Sequence, residues 1–183
     1  MIAFLALSAR AEPLGDCPAT VSGDPRLAGP AVIVVRKEAR RLALYSDGKL
    51  AACFRAGLGQ DYPEGHKVRM GDRRTPEGWY RTSDRPWSSF YHAITLHYPS
   101  AVDAAAALKD GRITKAQHDA IVAAERAGKE PPSETPLGGK ILIHGGGGST
   151  DWTLGCVALD DADIDALRAK LPSDLRTWVL VER

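Results

Sequence analysis

The stretch from residue 31 to residue 59, AVIVVRKEARRLALYSDGKLAACFRAGLG, limits the possible folds more than any other part of the chain. Its β-branched and apolar runs predict strands over 31–35, 42–45 and 49–56. Asp47-Gly48, between the last two runs, is typical of a tight hairpin turn. Further short strands are expected over 78–82, 93–97, 140–144 and 178–181. The sequence therefore predicts a mainly β fold.

The alanine-rich segment 101–130 differs from this pattern, because helix-forming residues lie on both sides of Gly111. Thr114 is expected to cap a second helix that runs to about residue 127, where Gly128 ends it. We predict an inserted helical hairpin over this segment. A last helix is predicted near the C-terminus, capped by Asp160 or Asp161. Its buried face is expected to comprise Ile164, Leu167 and Leu171.

The composition is that of one ordinary globular domain. A chain of 183 residues is long enough for one core and short for two. Lys and Arg total 24 against 23 for Asp and Glu, which gives a formal net charge of +1. Because nucleic-acid binders usually carry a basic excess, no nucleic-acid partner is expected.

The N-terminus, MIAFLALSARAEP, has an apolar run over 2–7 and an A-x-A-like cleavage site at 9–11. We interpret residues 1–11 as the remnant of a secretory signal and 12–30 as an N-terminal arm; the alternative is a buried N-terminal strand or helix. A secretory signal predicts a periplasmic or secreted protein. The run is too short to cross a bilayer and no other segment approaches that length, so no stable membrane span is expected.

The chain has three cysteines, Cys17, Cys53 and Cys156. In an exported protein an odd count leaves one thiol over, which is then a candidate reactive group. Cys17 and Cys53 are candidates for a disulfide that ties the arm to a strand. The alternative is that Cys53 is a small core residue.

The stretch KILIHGGGGSTDWTLGCVAL, residues 140–159, brings the third cysteine near a histidine. The thiolate is the reactive form of cysteine, and an imidazole that takes the proton activates the sulfur for acyl transfer. His144 ends a predicted strand, and the four glycines after it allow a sharp turn that leaves the site accessible. Gly155 is expected to let a substrate carbonyl approach the backbone, whose amides near Cys156 then bind an oxyanion.

Each of these features also has a simpler explanation. A histidine at a strand end, a packed cysteine and a glycine turn all occur without catalysis. A phosphate-binding loop is excluded, because no Gly-Lys-Ser/Thr follows the glycines. A zinc site is a further alternative, although the spacing of its candidate ligands is not that of a tight metal motif; they are His92, His97, His144 and Cys156.

Two blocks of sequence occur in a fixed order, GLGQDYPEGHKVRMGDRRTPEGWYRT at 57–82 and IHGGGGSTDWTLGC at 143–156. The second resembles the active-site signature of the L,D-transpeptidase (YkuD-type) catalytic domain, and the first resembles the glycine-rich strand end and Thr-Pro-x-Gly element of that family. Together with the intervening strands they cover most of 31–159. The resemblance implies a β-sandwich with short helices, a catalytic domain over 31–183, and no metal or organic cofactor.

The resemblance also implies roles for single residues. Cys156 corresponds to the nucleophile, His144 to its base, and the backbone carbonyl of Gly145 to the group that orients the imidazole. Thr153 matches the Ser/Thr position of the signature. The amides of Gly155 and Cys156 correspond to the oxyanion hole.

Some positions depart from the common family pattern. Leu154 stands where a histidine or another polar residue is frequent, and Ala158 stands where an arginine is frequent. With the short interval between residues 144 and 156, these departures resemble the YafK-like branch, some members of which hydrolyse peptidoglycan linkages. The candidate substrate contacts, for which core packing is the alternative, are Tyr91, His92 and Trp152.

The function implied is that of a cell-wall enzyme acting on peptidoglycan stem peptides. Cys156 would attack the carbonyl of a meso-diaminopimelate residue, release the terminal D-alanine and form a thioester. An amine of a neighbouring stem or a lipoprotein lysine would then resolve the thioester. Two alternatives stay open: water resolves the thioester, or the domain is a catalytically silent wall-binding module. The presence of both Cys156 and His144 argues against the silent module.

Overall fold

The computed structural model describes residue 17 and the ranges 23–60, 65–85 and 88–183. The predicted signal remnant, residues 1–11, lies outside the described residues, as does the predicted arm up to residue 22 except for Cys17. Within the described ranges, no helix has both the length and the apolar character that a membrane crossing requires.

Eight strands are present in the part of the chain that the structure describes. They are β1 (Val32–Arg36), β2 (Arg41–Ser46), β3 (Lys49–Arg55), β4 (Gly78–Arg85), β5 (Ala93–Leu96), β6 (Ile141–His144), β7 (Val157–Ala158) and β8 (Trp178–Glu182). All seven strands expected from the sequence are confirmed. The additional strand, β7, was not predicted, because two residues are too few to show an alternating pattern.

The hairpin between β2 and β3 has the turn that its sequence predicts. Asp47 and Gly48 have φ angles of 50° and 75°. Both residues are therefore in the left-handed region, as a two-residue type I′ turn requires.

The strands form one sheet in the order β3-β2-β1-β8-β4-β5-β6-β7. The sheet curls, so that Gly57, just beyond β3, bridges Ala158 in β7 at the other end of the order. The expected sandwich thus takes the form of a single curled sheet. Apolar side chains from both of its halves, such as Ile33, Ile94 and Ile143, fill one core.

The helices include the predicted hairpin. Helix α1 (Ala101–Lys109) is followed by α2 (Lys115–Arg126), and capping boxes at Ser100 and Thr114 begin them. Ile121 and its neighbours form a small apolar cluster of their own between the two helices. The predicted cap at Thr114 is confirmed.

Helix α3 (Asp161–Arg168) differs from its prediction at the N-terminus. Asp160 occupies the N-cap position, but its side chain makes no hydrogen bond to the helix. Its carboxylate accepts a hydrogen bond from the Gly148 amide instead, at 2.8 Å. The predicted apolar face, Ile164, Leu167 and Leu171, is buried. Leu171 lies beyond the end of the helix.

Cys17 and Cys53 form a disulfide. Cys17 packs with Leu27 and Trp79 against Val34. Because successive side chains of a strand point to opposite faces, Val34 lies on the outer face of the sheet, away from the main core. The disulfide therefore fastens the chain to that outer face, and Cys156 is the free cysteine among the described residues.

Candidate active site

Cys156 lies directly before β7 and beside β6. The two strands run parallel and pair His144 with Ala158. The Sγ atom accepts a hydrogen bond from the Leu142 amide at 3.4 Å, and the thiol donates toward the Lys140 carbonyl oxygen at 3.9 Å. The thiol is half-buried. Strand pairing thus brings the candidate nucleophile and the candidate base onto adjacent segments of the sheet.

The turn that carries Cys156 is held by Thr153. The Thr153 hydroxyl donates to the Cys156 carbonyl oxygen at 2.8 Å and accepts from the Gly155 amide at 3.1 Å. Gly155 has a φ of 125°, and a Cβ there would lie 2.7 Å from the Arg74 carbonyl oxygen. The close approach that requires glycine is therefore made by the chain's own backbone, where the sequence had suggested a substrate. The Gly155 amide is already hydrogen-bonded to the Thr153 hydroxyl, whereas the Cys156 amide has no acceptor among the described residues.

The imidazole of His144 is fixed by the backbone and covered by aromatic rings. Its Nδ1 lies 2.6 Å from the Gly145 carbonyl oxygen. Because a carbonyl only accepts, Nδ1 carries the proton and Nε2 is the basic nitrogen. The Phe90 ring stacks on the imidazole with centroids 4.7 Å apart, and Trp152 meets it edge-on at 5.5 Å. His144 is 1% exposed, so access to the site is through the cleft at Cys156 and not through the glycine loop beside the imidazole.

The loop 145–148 is held at each of its amides. The four N–H groups donate, in chain order, to the carbonyl of His92, the carboxylate of Asp161, the carbonyl of Leu159 and the carboxylate of Asp160. A Cβ at Gly145 would lie 2.6 Å from Asp161 Oδ1. The glycines therefore allow close packing of this loop against the start of α3.

Burial shifts both titrating groups toward their neutral forms. It raises the pKa of the Cys156 thiol, although the Leu142 amide and the charge of Lys67 oppose the rise. It lowers the pKa of His144, against the opposing effect of the Gly145 carbonyl. No hydrogen bond joins the Cys156 and His144 side chains within the described ranges. The resting site therefore holds a thiol and a neutral imidazole near pH 7.

A cleft of about 560 Å³ opens at Cys156. This volume is within the range of ligand-binding clefts. Three basic side chains, Lys67, Arg73 and Lys140, line it together with one acidic side chain, Glu134. Two of the basic groups have acidic partners, Lys67 with Asp72 at 2.8 Å and Lys140 with Glu134 at 3.7 Å, so the cleft presents charges of both signs.

The wall of this cleft contains a buried ion pair. Lys67 Nζ donates to Asp72 Oδ1 at 2.8 Å and to the Arg69 carbonyl oxygen at 3.0 Å. Burial alone would raise the pKa of Asp72, but the hydrogen bonds from Lys67 and from backbone amides lower it below its ordinary value. The pair therefore holds the Lys67 side chain in a fixed position at the edge of the cleft.

The sequence matches a known family model over most of its length. Residues 30–181 match the YkuD model, the L,D-transpeptidase catalytic domain. The chain belongs to this family. No curated protein sequence matches the chain. Assignment of this YkuD domain to the YafK-like branch stays a prediction.

Solved structures share the fold of this YkuD domain. The helical cell shape determining protein Pgp2 from Campylobacter jejuni has a TM-score of 0.54 and 23% identity, over 84% of this chain and 48% of its own. Bd1075 from Bdellovibrio bacteriovorus has a TM-score of 0.50 and 22% identity, over 87% of this chain and 50% of its own. The chain thus spans about half the length of the structures that it resembles. At these identities the likeness shows the fold.

Tyr91, His92 and Trp152, the candidate substrate contacts, surround the glycine loop and do not line the cleft at Cys156. The Tyr91 hydroxyl donates to Asp165 Oδ2 at 2.9 Å, and His92 Nδ1 lies 2.6 Å from Asp165 Oδ1. Tyr91 is 48% exposed and the His92 side chain is 56% exposed, so core packing does not explain them. Trp152 donates its indole N–H to the Gly147 carbonyl oxygen at 2.9 Å. All three contact the loop or its neighbours.

The zinc alternative is not formed by its candidate ligands. The His97 imidazole is hydrogen-bonded to Ser83 Oγ at 2.9 Å, and the His92 imidazole is hydrogen-bonded to Asp165. In the ranges that the structure describes, no three His, Cys, Asp or Glu side chains are grouped so as to hold a metal ion.

Several parts of the site were missed from the sequence. Phe90 carries no local signal that it would stack on His144. Asp161 was considered only as a helix cap. Lys67 and Asp72 lie inside the block at 57–82 that resembles the family. The resemblance of that block could have indicated that its residues lie near the site.

Proposed function

We propose that this YkuD domain is a periplasmic cysteine acyltransferase that acts on peptidoglycan stem peptides. The observation that supports this most is the half-buried Cys156 thiol at a cleft of about 560 Å³. An imidazole lies on the adjacent strand, with its Nδ1 proton bound to the Gly145 carbonyl. Membership of the L,D-transpeptidase catalytic domain family supports a peptidoglycan-acting enzyme.

In the proposed reaction, Sγ of Cys156 attacks the carbonyl carbon of meso-diaminopimelate while its proton passes to Nε2 of His144. The Cys156 amide donates to the oxyanion that forms. The bond to the terminal D-alanine then breaks, and His144 returns the proton to the leaving amine. An acceptor amine, from a neighbouring stem or a lipoprotein lysine, attacks the thioester, which forms a new amide and restores the thiol.

The basic side chains of the cleft are suited to the carboxylates of a stem peptide. Ala158, which stands where the family often has an arginine, is fully buried in the sheet. Lys67, Arg73 and Lys140 supply positive charge along the cleft at Cys156 instead. These side chains are therefore the proposed partners of the substrate carboxylates.

Hydrolysis is the second candidate outcome, because two walls of the cleft face solvent. Leu154 is 70% exposed and Met70 is 55% exposed. A thioester on Cys156 would be within reach of water at this open cleft. Water in place of the acceptor amine gives a carboxypeptidase or amidase with the same first step.

Two measurements test the proposal. Intact-protein mass spectrometry after exposure to a carbapenem is expected to show one adduct, since the chain's other two cysteines form a disulfide. An equal adduct on Cys156→Ala would refute the nucleophile. Incubation with purified disaccharide tetrapeptides is expected to yield crosslinked dimers, and shortened monomers alone would assign hydrolysis. A wild-type protein that gives neither adduct nor product would be the silent wall-binding module.

A further inference from the structure

Asp161 and His144 bind opposite ends of one peptide group. The Gly145 carbonyl oxygen accepts from His144 Nδ1 at 2.6 Å. The Gly146 amide, which belongs to the same peptide unit, donates to Asp161 Oδ1 at 2.8 Å. Because a peptide bond is planar, the carboxylate fixes the direction in which that carbonyl points.

The arrangement has an electrostatic consequence as well. Hydrogen bonds in a chain polarise one another, so a carboxylate on the N–H side makes the carbonyl a stronger acceptor. A stronger acceptor favours the Nδ1–H tautomer and stabilises the protonated imidazole. Asp161 is in the first turn of α3, and its Oδ1 lies so close to Gly145 that only glycine fits there.

We infer that Asp161 is a positioning residue for His144, which acts through the Gly145–Gly146 peptide. The carboxylate holds the ring in the orientation and tautomer that leave Nε2 free, and it makes Nε2 more basic. The catalytic consequence rests on the proposed function, in which Nε2 accepts the thiol proton. The effect on the imidazole itself does not depend on that function.

Three variants, Asp161→Ala, Asp161→Asn and Asp160→Ala, test this inference by NMR titration of His144 and by the rate of carbapenem acylation. Asp161→Ala is expected to lower the pKa of His144 further and to slow acylation about tenfold, the scale of one hydrogen bond to a charged group. Asp161→Asn keeps an oxygen acceptor and is expected to recover most of the rate. Asp160→Ala, which releases Gly148 in a different peptide unit, is expected to change the pKa less.

The outcomes separate this inference from the proposed function. In a His144→Gln background, Asp161→Ala is expected to slow acylation no further. A wild-type pKa and Nδ1–H signal in folded Asp161→Ala would overturn the inference, whether or not the protein is acylated. A shifted pKa in a protein that is never acylated would support the inference and contradict the proposed function.

A different part of the fold carries a second inference. A cleft of about 460 Å³, the arginine cleft, is lined by Arg26, Arg81, Arg176 and Trp178. Tyr80 faces the main core, so its neighbour Arg81 on β4 points to the outer face of the sheet. No described residue lines both this cleft and the cleft at Cys156.

The guanidinium of Arg81 stacks on an aromatic ring but has no acidic partner. Its central carbon lies 3.7 Å from the Trp178 ring centroid. Among the described residues, no hydrogen bond or ion pair engages the group. Burial and the charge of Arg26 lower the pKa of Arg81, and Glu125 opposes them. Like charges are therefore held together at this cleft.

The guanidinium groups of Arg26 and Arg176 each have a carboxylate nearby. Arg26 is paired with Asp24, with its Nη2 2.6 Å from a carboxylate oxygen. Arg176 lies 3.9 Å from an exposed carboxylate oxygen of Asp174. Arg26 and Arg176 thus have direct carboxylate partners, whereas Arg81 is influenced by Glu125 only through its charge, without an ion pair or hydrogen bond.

We propose that the arginine cleft binds an oxyanion group, a carboxylate or a phosphate, on a small ligand with an apolar part. The planar fork of a guanidinium matches both oxyanions, and stacking on Trp178 fixes its plane. The cleft is larger than a bare anion needs, and its lining also includes the apolar side chains of Pro25, Pro30 and Val32.

Titration with three probes, followed by ¹⁵N NMR at Arg81 and at the Trp178 indole, tests the proposal. The probes are N-acetylalanine, inorganic phosphate, and N-acetylalaninamide, which lacks the charge. Saturable shifts are expected with at least one of the two anions and not with the amide. Arg81→Ala is expected to weaken binding about tenfold or more, whereas the control Arg55→Ala, an exposed arginine on β3, is expected to bind like wild type.

The pattern of binding also identifies the oxyanion. Binding of N-acetylalanine alone assigns a carboxylate, binding of phosphate alone assigns a phosphate, and binding of both supports the shared chemistry. The proposal is overturned if neither anion saturates, if the amide binds equally well, or if Arg81→Ala retains wild-type affinity.

Discussion

Acidification from pH 7.5 to pH 5 is expected to destabilise the protein through His97. This side chain is 8% exposed, and its Nε2 lies 2.9 Å from Ser83 Oγ. Burial lowers the pKa of His97 from 6.5 to about 4, with help from the charges of Arg176 and Arg81. Below pH 6.5 the unfolded chain therefore binds a proton that the folded chain does not bind, so the free energy of unfolding falls as the pH falls.

The magnitude follows from the distance between the two pKa values. Each pH unit between them changes the free energy of unfolding by about 1.4 kcal/mol. The contribution of His97 to the loss is about 2 kcal/mol at pH 5, and it reaches about 3 kcal/mol near pH 4, where the folded protein also takes up the proton. His144, whose pKa burial also lowers, adds to the loss in the same direction. The carboxylates of Asp72 and Asp165 have pKa values below the ordinary 3.8, so their stabilising effect is lost only in stronger acid.

Urea unfolding of the wild type and two variants at pH 7.5 and pH 5 measures this effect. His97→Gln keeps a polar side chain beside Ser83 but does not titrate, so it is expected to lose about 2 kcal/mol less than the wild type on acidification. Ser83→Ala removes the hydrogen-bond partner but keeps the histidine, so it is expected to retain most of the pH dependence. Equal losses in the wild type and in His97→Gln would refute the argument.

Three further predictions concern the site and the outer face. Alkylation of Cys156 by iodoacetamide, followed by intact mass, is expected to accelerate through pH 9, because burial raises the thiol pKa above its ordinary 9.0; a plateau near neutral pH would indicate a thiolate–imidazolium pair. Phe90→Ala is expected to raise the pKa of His144 toward 6.5 in an NMR titration, because water replaces the stacked ring, and an unchanged pKa would show that Phe90 does not exclude water. Replacing Cys17 and Cys53 by serine is expected to cost about 3 to 4 kcal/mol in urea unfolding, the loop-entropy scale for their separation of 36 residues, and a loss below about 1 kcal/mol would contradict that model.

The fold was predictable where the decisive signal is local. The turn at Asp47-Gly48 and the cap at Thr114 depend on neighbours in sequence, and both are present. β7 was not predictable in this way, because Val157 and Ala158 are held as a strand by pairing with β6 across a loop. Its two residues have no periodicity of their own.

The candidate residues of the site could be named from the sequence, but their surroundings could not. Cys156 and His144 are candidates because of the motif at 143–156. The ring that covers His144 and the side chains that line the cleft at Cys156 come from distant parts of the chain. The ring that stacks on His144 belongs to Phe90. Lys67 reaches the Cys156 cleft from the block at 57–82. Such contacts depend on how the sheet curls, which no local pattern specifies.

The directions of the two pKa shifts decide how the proposed reaction begins. A thiol with an ordinary pKa of 9.0 and an imidazole with one of 6.5 already favour the neutral pair, and burial moves the two values further apart. The Leu142 amide and Lys67 lower the thiol pKa, but less than burial raises it. The proton must therefore move during the attack on the carbonyl, as in general-base catalysis. The rate would then depend on the group that orients the imidazole and on the amide that receives the oxyanion, which are the Gly145 carbonyl and the Cys156 N–H.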